Sequence, residues 1–114
     1  MDIKIIKEKI SQDELKRIAQ ESFGEMAKAV VDLEQEIIAL GGELHADGEA
    51  MLLEQGSRQE NIWGINIYPD KQRNEWIEYT SLINVRPTQG NKAMEIQNPE
   101  IKEKIKAIVD KLIG

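Results

Sequence analysis

Ile62-Trp63-Gly64-Ile65-Asn66-Ile67-Tyr68-Pro69 and Ile77-Glu78-Tyr79-Thr80-Ser81-Leu82-Ile83-Asn84-Val85-Arg86-Pro87 both alternate between apolar and polar residues. Period two is the signature of a strand with one buried face. The first segment places Trp63, Ile65 and Ile67 inward, and the second Ile77, Tyr79, Ile83 and Val85. The opposite face then carries Asn66, Tyr68, Glu78, Asn84 and Arg86, and the second strand leads into Thr88-Gln89-Gly90-Asn91.

Working outward, Ile3-Lys4-Ile5 reads as a short edge strand. Ser11-Gln12-Asp13-Glu14 reads as a capping box opening a helix with Leu15, Ile18 and Ala19 inside. Ser22-Phe23-Gly24 interrupts or kinks that helix. From Glu25, Met26, Val30, Leu33, Ile37 and Leu40 recur at gaps of four and three, and Ala27, Ala29, Val31 and Ile38 widen the stripe. This spacing predicts a deeply packed second helix ended by Gly41-Gly42. Glu43 to Glu54 reads as one strand with Gly48 at a bulge, as a hairpin turning at Asp47-Gly48, or as a short helix from Asp47; strand is preferred. Asn98-Pro99-Glu100 caps a last helix that buries Ile101, Ile105, Ile108 and Leu112.

The expectation is an α+β fold: an antiparallel meander of three to four strands with helices on one face, in the order β-α-α-β-β-β-α. The other face of the sheet would be open and polar. A length of 114 residues fits one domain, residues 1–114.

Composition narrows the chemistry. The chain has no cysteine, which excludes disulfides, thiolate metal sites and cysteine nucleophiles. A single histidine excludes a metal site built on two histidines of one chain, and no cofactor motif is present. The net charge of −6 argues against nucleic acid, leaving Arg58, Lys71, Arg73, Arg86 and Lys92 as the cations outside helices. No apolar run reaches bilayer length and the N-terminus lacks a signal-like apolar core, so no membrane role and a cytoplasmic location are expected.

Several motifs act together. They are Phe23-Gly24-Glu25-Met26, Ala29-Val30-Val31-Asp32, Gly41 to Asp47, Gly56-Ser57-Arg58-Gln59, Trp63 to Pro69, and Asn84 to Asn91. This combination resembles a small uncharacterised prokaryotic family, a domain of unknown function, from about residue 10 to the end. The resemblance implies a complete small domain and carries no activity. Such relatives are pictured as more basic and serine-rich after Gly90-Asn91. Here the stretch is Lys92-Ala93-Met94-Glu95, which argues against anion binding there.

Two constellations are candidates. His45, Asp47 and Glu49 would share a face of one strand and could serve in acid–base chemistry or hold a divalent ion, against a plain reading as a turn with solvated acids. Asn66, Tyr68, Asn84, Arg86, Gln89 and Asn91 would form a ligand or partner surface, with Arg86 as a fork for a carboxylate or phosphate. The plain reading has Arg86 paired with Glu78 or Asp70 and the amides tying loop backbone together. Trp76 falls on the outward phase and is assigned to an interface. Lys28 and Asp32 read as a helical ion pair, and Gly56-Ser57 as a hairpin turn.

The first functional expectation is a non-enzymatic binding or self-assembly module that meets a second copy or another protein on the open face. The second is a small-ligand enzyme holding an anion on Arg86 and the Thr88–Asn91 loop, with His45, Asp47 or Glu49 moving protons.

Overall fold

The computed structural model describes residues 2–114. Five strands form one antiparallel sheet: β1 (Ile3–Ile6), β2 (Ala27–Asp32), β3 (Ile37–Gly41), β4 (Ile62–Ile67) and β5 (Ile77–Glu78). Three helices accompany them: α1 (Gln12–Ser22), α2 (His45–Glu54) and α3 (Pro99–Leu112). The fold is α+β as expected, with five strands rather than three or four and a different element order. The strands lie in the order β1-β3-β2-β4-β5.

The largest correction is at residues 25–41. This stretch is a β-hairpin, not a helix. Val31 pairs with Ile38 and Ala29 with Leu40 across β2 and β3. Asp32 organises the turn: its Oδ1 accepts from the backbone N–H of Glu34 at 2.8 Å and of Gln35 at 3.0 Å, and its Oδ2 accepts from Ser57 Oγ. Gly41 and Gly42 do adopt positive φ, but they end β3 rather than a helix. Lys28 and Asp32 therefore sit at opposite ends of β2, and the helical ion pair does not exist.

Residues 43–54 bring a second correction, because the preferred strand is the helix α2. Gly48 is the reason a glycine sits mid-helix. A Cβ there would lie 3.0 Å from Val30 Cγ2, so its absence lets α2 settle closely on β2. Gly56-Ser57 follows the end of this helix and makes no hairpin.

Topology places the helices on both faces of the sheet. β1 and β2 run parallel with β3 between them, and β3 and β4 run parallel with β2 between them. Both connections step the same way across the sheet but leave from opposed strands. Crossovers of one hand must then pass over opposite faces. Accordingly, Leu15, Ile18 and Ala19 of α1 pack on Ala27, Ala29, Val31, Ile38, Leu40, Trp63, Ile65 and Ile67, and α3 adds Ile105, Ile108, Val109 and Leu112 to that layer. On the other face Leu52 of α2 packs with Val30, Ile37, Ala39 and Ile62. The expected open polar face is thus covered, and all six residues of β4 are buried.

The second alternating segment keeps its phase only briefly. β5 pairs Glu78 with Asn66 and Ile77 with Ile67, then leaves β4. Residues 79–81 pair instead with 94–96, and the chain between makes short 3-10 turns at Leu82–Asn84 and Pro87–Gln89. Val85, expected inside, is 39% exposed.

Candidate functional site

The polar residues expected on one open surface separate into two groups. The first is bonded mainly within itself, although Arg86 Nη2 and the Glu49 Oε2 and Trp63 Nε1 atoms beside it have no hydrogen-bond partner among the described residues. Asn84 is fully buried beside β4 where β5 is missing. Its Oδ1 accepts from Gly64 N–H at 2.8 Å, and its Nδ2 donates to the Gly64 carbonyl at 2.9 Å and to the Met94 carbonyl at 3.2 Å. One side-chain amide thereby supplies what a neighbouring strand would have supplied. Asn91 Nδ2 donates to the carbonyls of Asn84, Ala93 and Glu95, while its Oδ1 accepts from Gln97 N–H. Gln89, on the exposed rim, donates to the Glu60 carbonyl.

Arg86 belongs to the same group. Its Nε donates to the Ile83 carbonyl at 3.0 Å and its Nη1 to the Gln59 carbonyl. Its Nη2 faces Glu49 Oε2 at 3.5 Å, and the guanidinium lies 4.6 Å from the centre of the Trp63 ring. Burial pulls the Arg86 pKa below its ordinary value, and the Glu49 carboxylate opposes that shift. Arg86 is 7% exposed. Its partner is neither Glu78 nor Asp70, as the plain reading had it, but an acid on α2.

The second group lines a cleft of about 370 Å³ between the start of α2 and residues 80–83. Lys28, Asn66 and Glu78 form one row across β2, β4 and β5, and His45 sits over it as the first residue of α2. Asn66 Nδ2 donates to Glu78 Oε1 at 2.7 Å, whereas its buried Oδ1 has no partner among the described residues. His45 Nε2 lies 2.8 Å from the Ile65 carbonyl, so in the neutral ring that nitrogen carries the proton and Nδ1 is bare. Burial first, and Lys28 as well, hold the His45 pKa below its usual value; the Ile65 carbonyl and Asn66 act the other way. Tyr68, just past the end of β4, does not line the cleft; its hydroxyl donates to Glu78 Oε1 at 3.5 Å and its ring is covered by Lys71.

The walls of this cleft are apolar and open to solvent. Leu82 is 73% exposed, Leu44 56% and Met94 46%. Exposed side chains of this size around one concavity are the feature most often associated with binding. Two other surface depressions lie beside α1 and β1. Two of their cations are engaged, Lys4 with Glu14 and Arg17 with Glu14 and Glu21.

His45 and Arg86 do not share a concavity. The cleft takes in His45 and Asn66, while Arg86 is turned to Glu49 and Trp63. The triplet His45, Asp47 and Glu49 is also separated. On a helix, His45 and Glu49 face inward one turn apart, and Asp47 is exposed. Among the described residues no cluster of three metal-ligating side chains forms. Trp76 is 3% exposed and joins the core, with its Nε1 donating to the Lys71 carbonyl at 2.9 Å. The outward phase failed because a 3-10 turn at Arg73–Glu75 resets the alternation before β5.

Sequence reasoning missed Lys28, Leu44, Leu82 and Met94 as site residues. Leu82 carried a usable signal, an apolar residue on the polar phase of its segment. Lys28 carried none, because its surroundings read as helix.

The family described as "Protein of unknown function (DUF5674)" matches residues 4–112, and the chain belongs to that family. No curated protein and no solved structure matches the chain. Among the described residues no helix is long and apolar enough to cross a membrane.

Proposed function

For this member of a family of unknown function, we propose a binding role centred on the cleft between α2 and residues 80–83. One observation carries the reading. Leu44, Leu82 and Met94 stand exposed around a concavity whose floor holds Lys28, His45 and Asn66. An apolar wall with a few convergent polar groups is the usual form of a small-molecule site. The size, about 370 Å³, falls within the range of such sites. Among the described residues no nucleophile paired with a base supports a catalytic reading, so binding without chemistry is the better account.

The test is an amide NMR titration of the full chain with a mixture of small apolar fragments. Resonances of Lys28, Leu44, Ala46 and Leu82 should move together. Shifts confined to α1 or α3 would refute the reading.

A second reading has two copies of the chain meeting across the same rim, and it draws on the same three exposed side chains. Sedimentation would show a dimer that Leu82→Asp converts to monomer; a monomer at all concentrations would remove it.

A further inference from the structure

We infer that the cleft takes an apolar carboxylate together with a proton, the head group against Lys28 and the start of α2 and the proton on His45. The inference rests on the binding role proposed above and adds the chemistry of the ligand.

Three observations carry it. Lys28 is half-buried at the cleft floor and, among the described residues, no carboxylate lies within salt-bridge distance of it; its ammonium lies 5.3 Å from the centre of the Phe23 ring. Such a cation gains most from an anion that shares its partly desolvated site. Next, the N-cap of α2 is Leu44, whose side chain accepts nothing, and Leu44, His45 and Ala46 all line the cleft. The first N–H groups of a helix carry partial positive charge and favour an anion.

The third observation is independent of charge. Asn66 is 8% exposed, lines the cleft, and leaves its Oδ1 without a donor. It lines the cleft together with His45 and favours the protonated ring. The neutral ring has its N–H committed to Ile65, so only a second proton gives it another N–H to donate. Lys28 opposes that proton. An anion placed on Lys28 cancels the opposition, so anion and proton enter together by linkage. The other charges near the ring are few. Glu78 on β5 reaches it through Asn66, and Glu49, one turn along α2, is turned to Arg86. Neither lines the cleft. Leu44, Leu82 and Met94 receive the apolar body.

The experiment titrates the full chain with octanoate, octanol and octylamine by calorimetry, near neutral pH, in two buffers of different ionisation enthalpy. Octanoate should bind about tenfold or more tighter than either analogue, the margin of one charge-assisted hydrogen bond. Its binding should take up protons. Lys28→Gln should erase the preference for octanoate, and His45→Gln should erase the proton uptake while sparing the preference. Octanol binding in the cleft as tightly as octanoate would overturn the inference and leave the binding role standing. Octanoate binding without proton uptake would also overturn it. No binding of any of the three would remove both.

Discussion

The loop around Asn84 and the cleft around His45 are built from similar side chains and put them to different ends. At Asn84 every polar atom meets a protein partner: both backbone groups of Gly64, then the Met94 carbonyl. At the cleft, Asn66 has its amide nitrogen occupied and its oxygen empty, and Lys28 has no counter-ion among the described residues. A polar group buried without a partner costs folding free energy, so natural chains keep few of them. The lesson is to look for function where a left-over polar atom lines a cleft: Arg86 Nη2, Glu49 Oε2 and Trp63 Nε1 also lack hydrogen-bond partners among the described residues, but they lie against one another and away from the cleft. The run Asn84 to Asn91 is the most polar-patterned stretch, yet it holds a loop together.

The contrast is open to direct attack. The largest effect is expected from Asn84→Ala, which strips three hydrogen bonds from buried backbone and should cost about 3 kcal/mol. Urea denaturation measures it, and a loss well under 1 kcal/mol would deny Asn84 its structural role. Arg86→Ala comes next. It strands Glu49, whose side chain is 17% exposed, and should cost about 2 kcal/mol. Replacing both partners by methionine should recover most of that stability, which a ligand-binding Arg86 would have no reason to show.

Gly64→Ala probes the seam between the two regions. A Cβ there would lie 2.6 Å from Ser81 Cβ, so residues 81–83 must shift, at about 1–2 kcal/mol. Amide shifts should appear at both Asn84 and the cleft; a change at one alone would mean the regions are uncoupled.

The pH dependence of stability isolates His45. Its folded pKa is lowered, by burial first, so near and below the ordinary value of 6.5 the unfolded chain binds more protons than the folded one. Stability from this group is full above that value and is lost as pH falls through it toward the folded pKa. Denaturation midpoints should fall on acidification through this window, and less so in His45→Gln.

The smallest stability effect belongs to Leu82→Ala, expected within about 0.5 kcal/mol because the side chain is 73% exposed. Its binding of octanoate should nonetheless weaken several-fold. A large stability loss with unchanged binding would reverse the contrast drawn here.

Legibility of the fold varied with burial. Ser11 caps α1 by accepting from Glu14 N–H, Asn98 caps α3 with Pro99 at its start, and β4 has the expected inward set. The two helices have a local cap and one face in water, and β4, though buried on both sides, keeps Gly64 and Asn66 between its apolar residues, so each pattern is self-contained. The β2–β3 hairpin lacked this. With helices α1 and α2 on either side, both faces of Ala27–Asp32 and Ile37–Gly41 are buried, alternation disappears, and the remaining gaps of three and four imitate a helix.

The candidate site was legible in part for the same reason. Asn66 stood out on a strand of clear phase, and His45 as the lone histidine, but their meeting could not be read from spacing.

By itself the sequence determined the caps, the strand at Ile62–Ile67, the closing helix and the absence of thiol chemistry, because each depends on neighbours in the chain. The tertiary structure alone decided that α2 crosses to the far face, that Asn84 completes a missing strand, and that Lys28, His45 and Asn66 face one cleft. These outcomes follow from strand order and crossover hand, which join residues far apart in the chain and leave no local pattern behind.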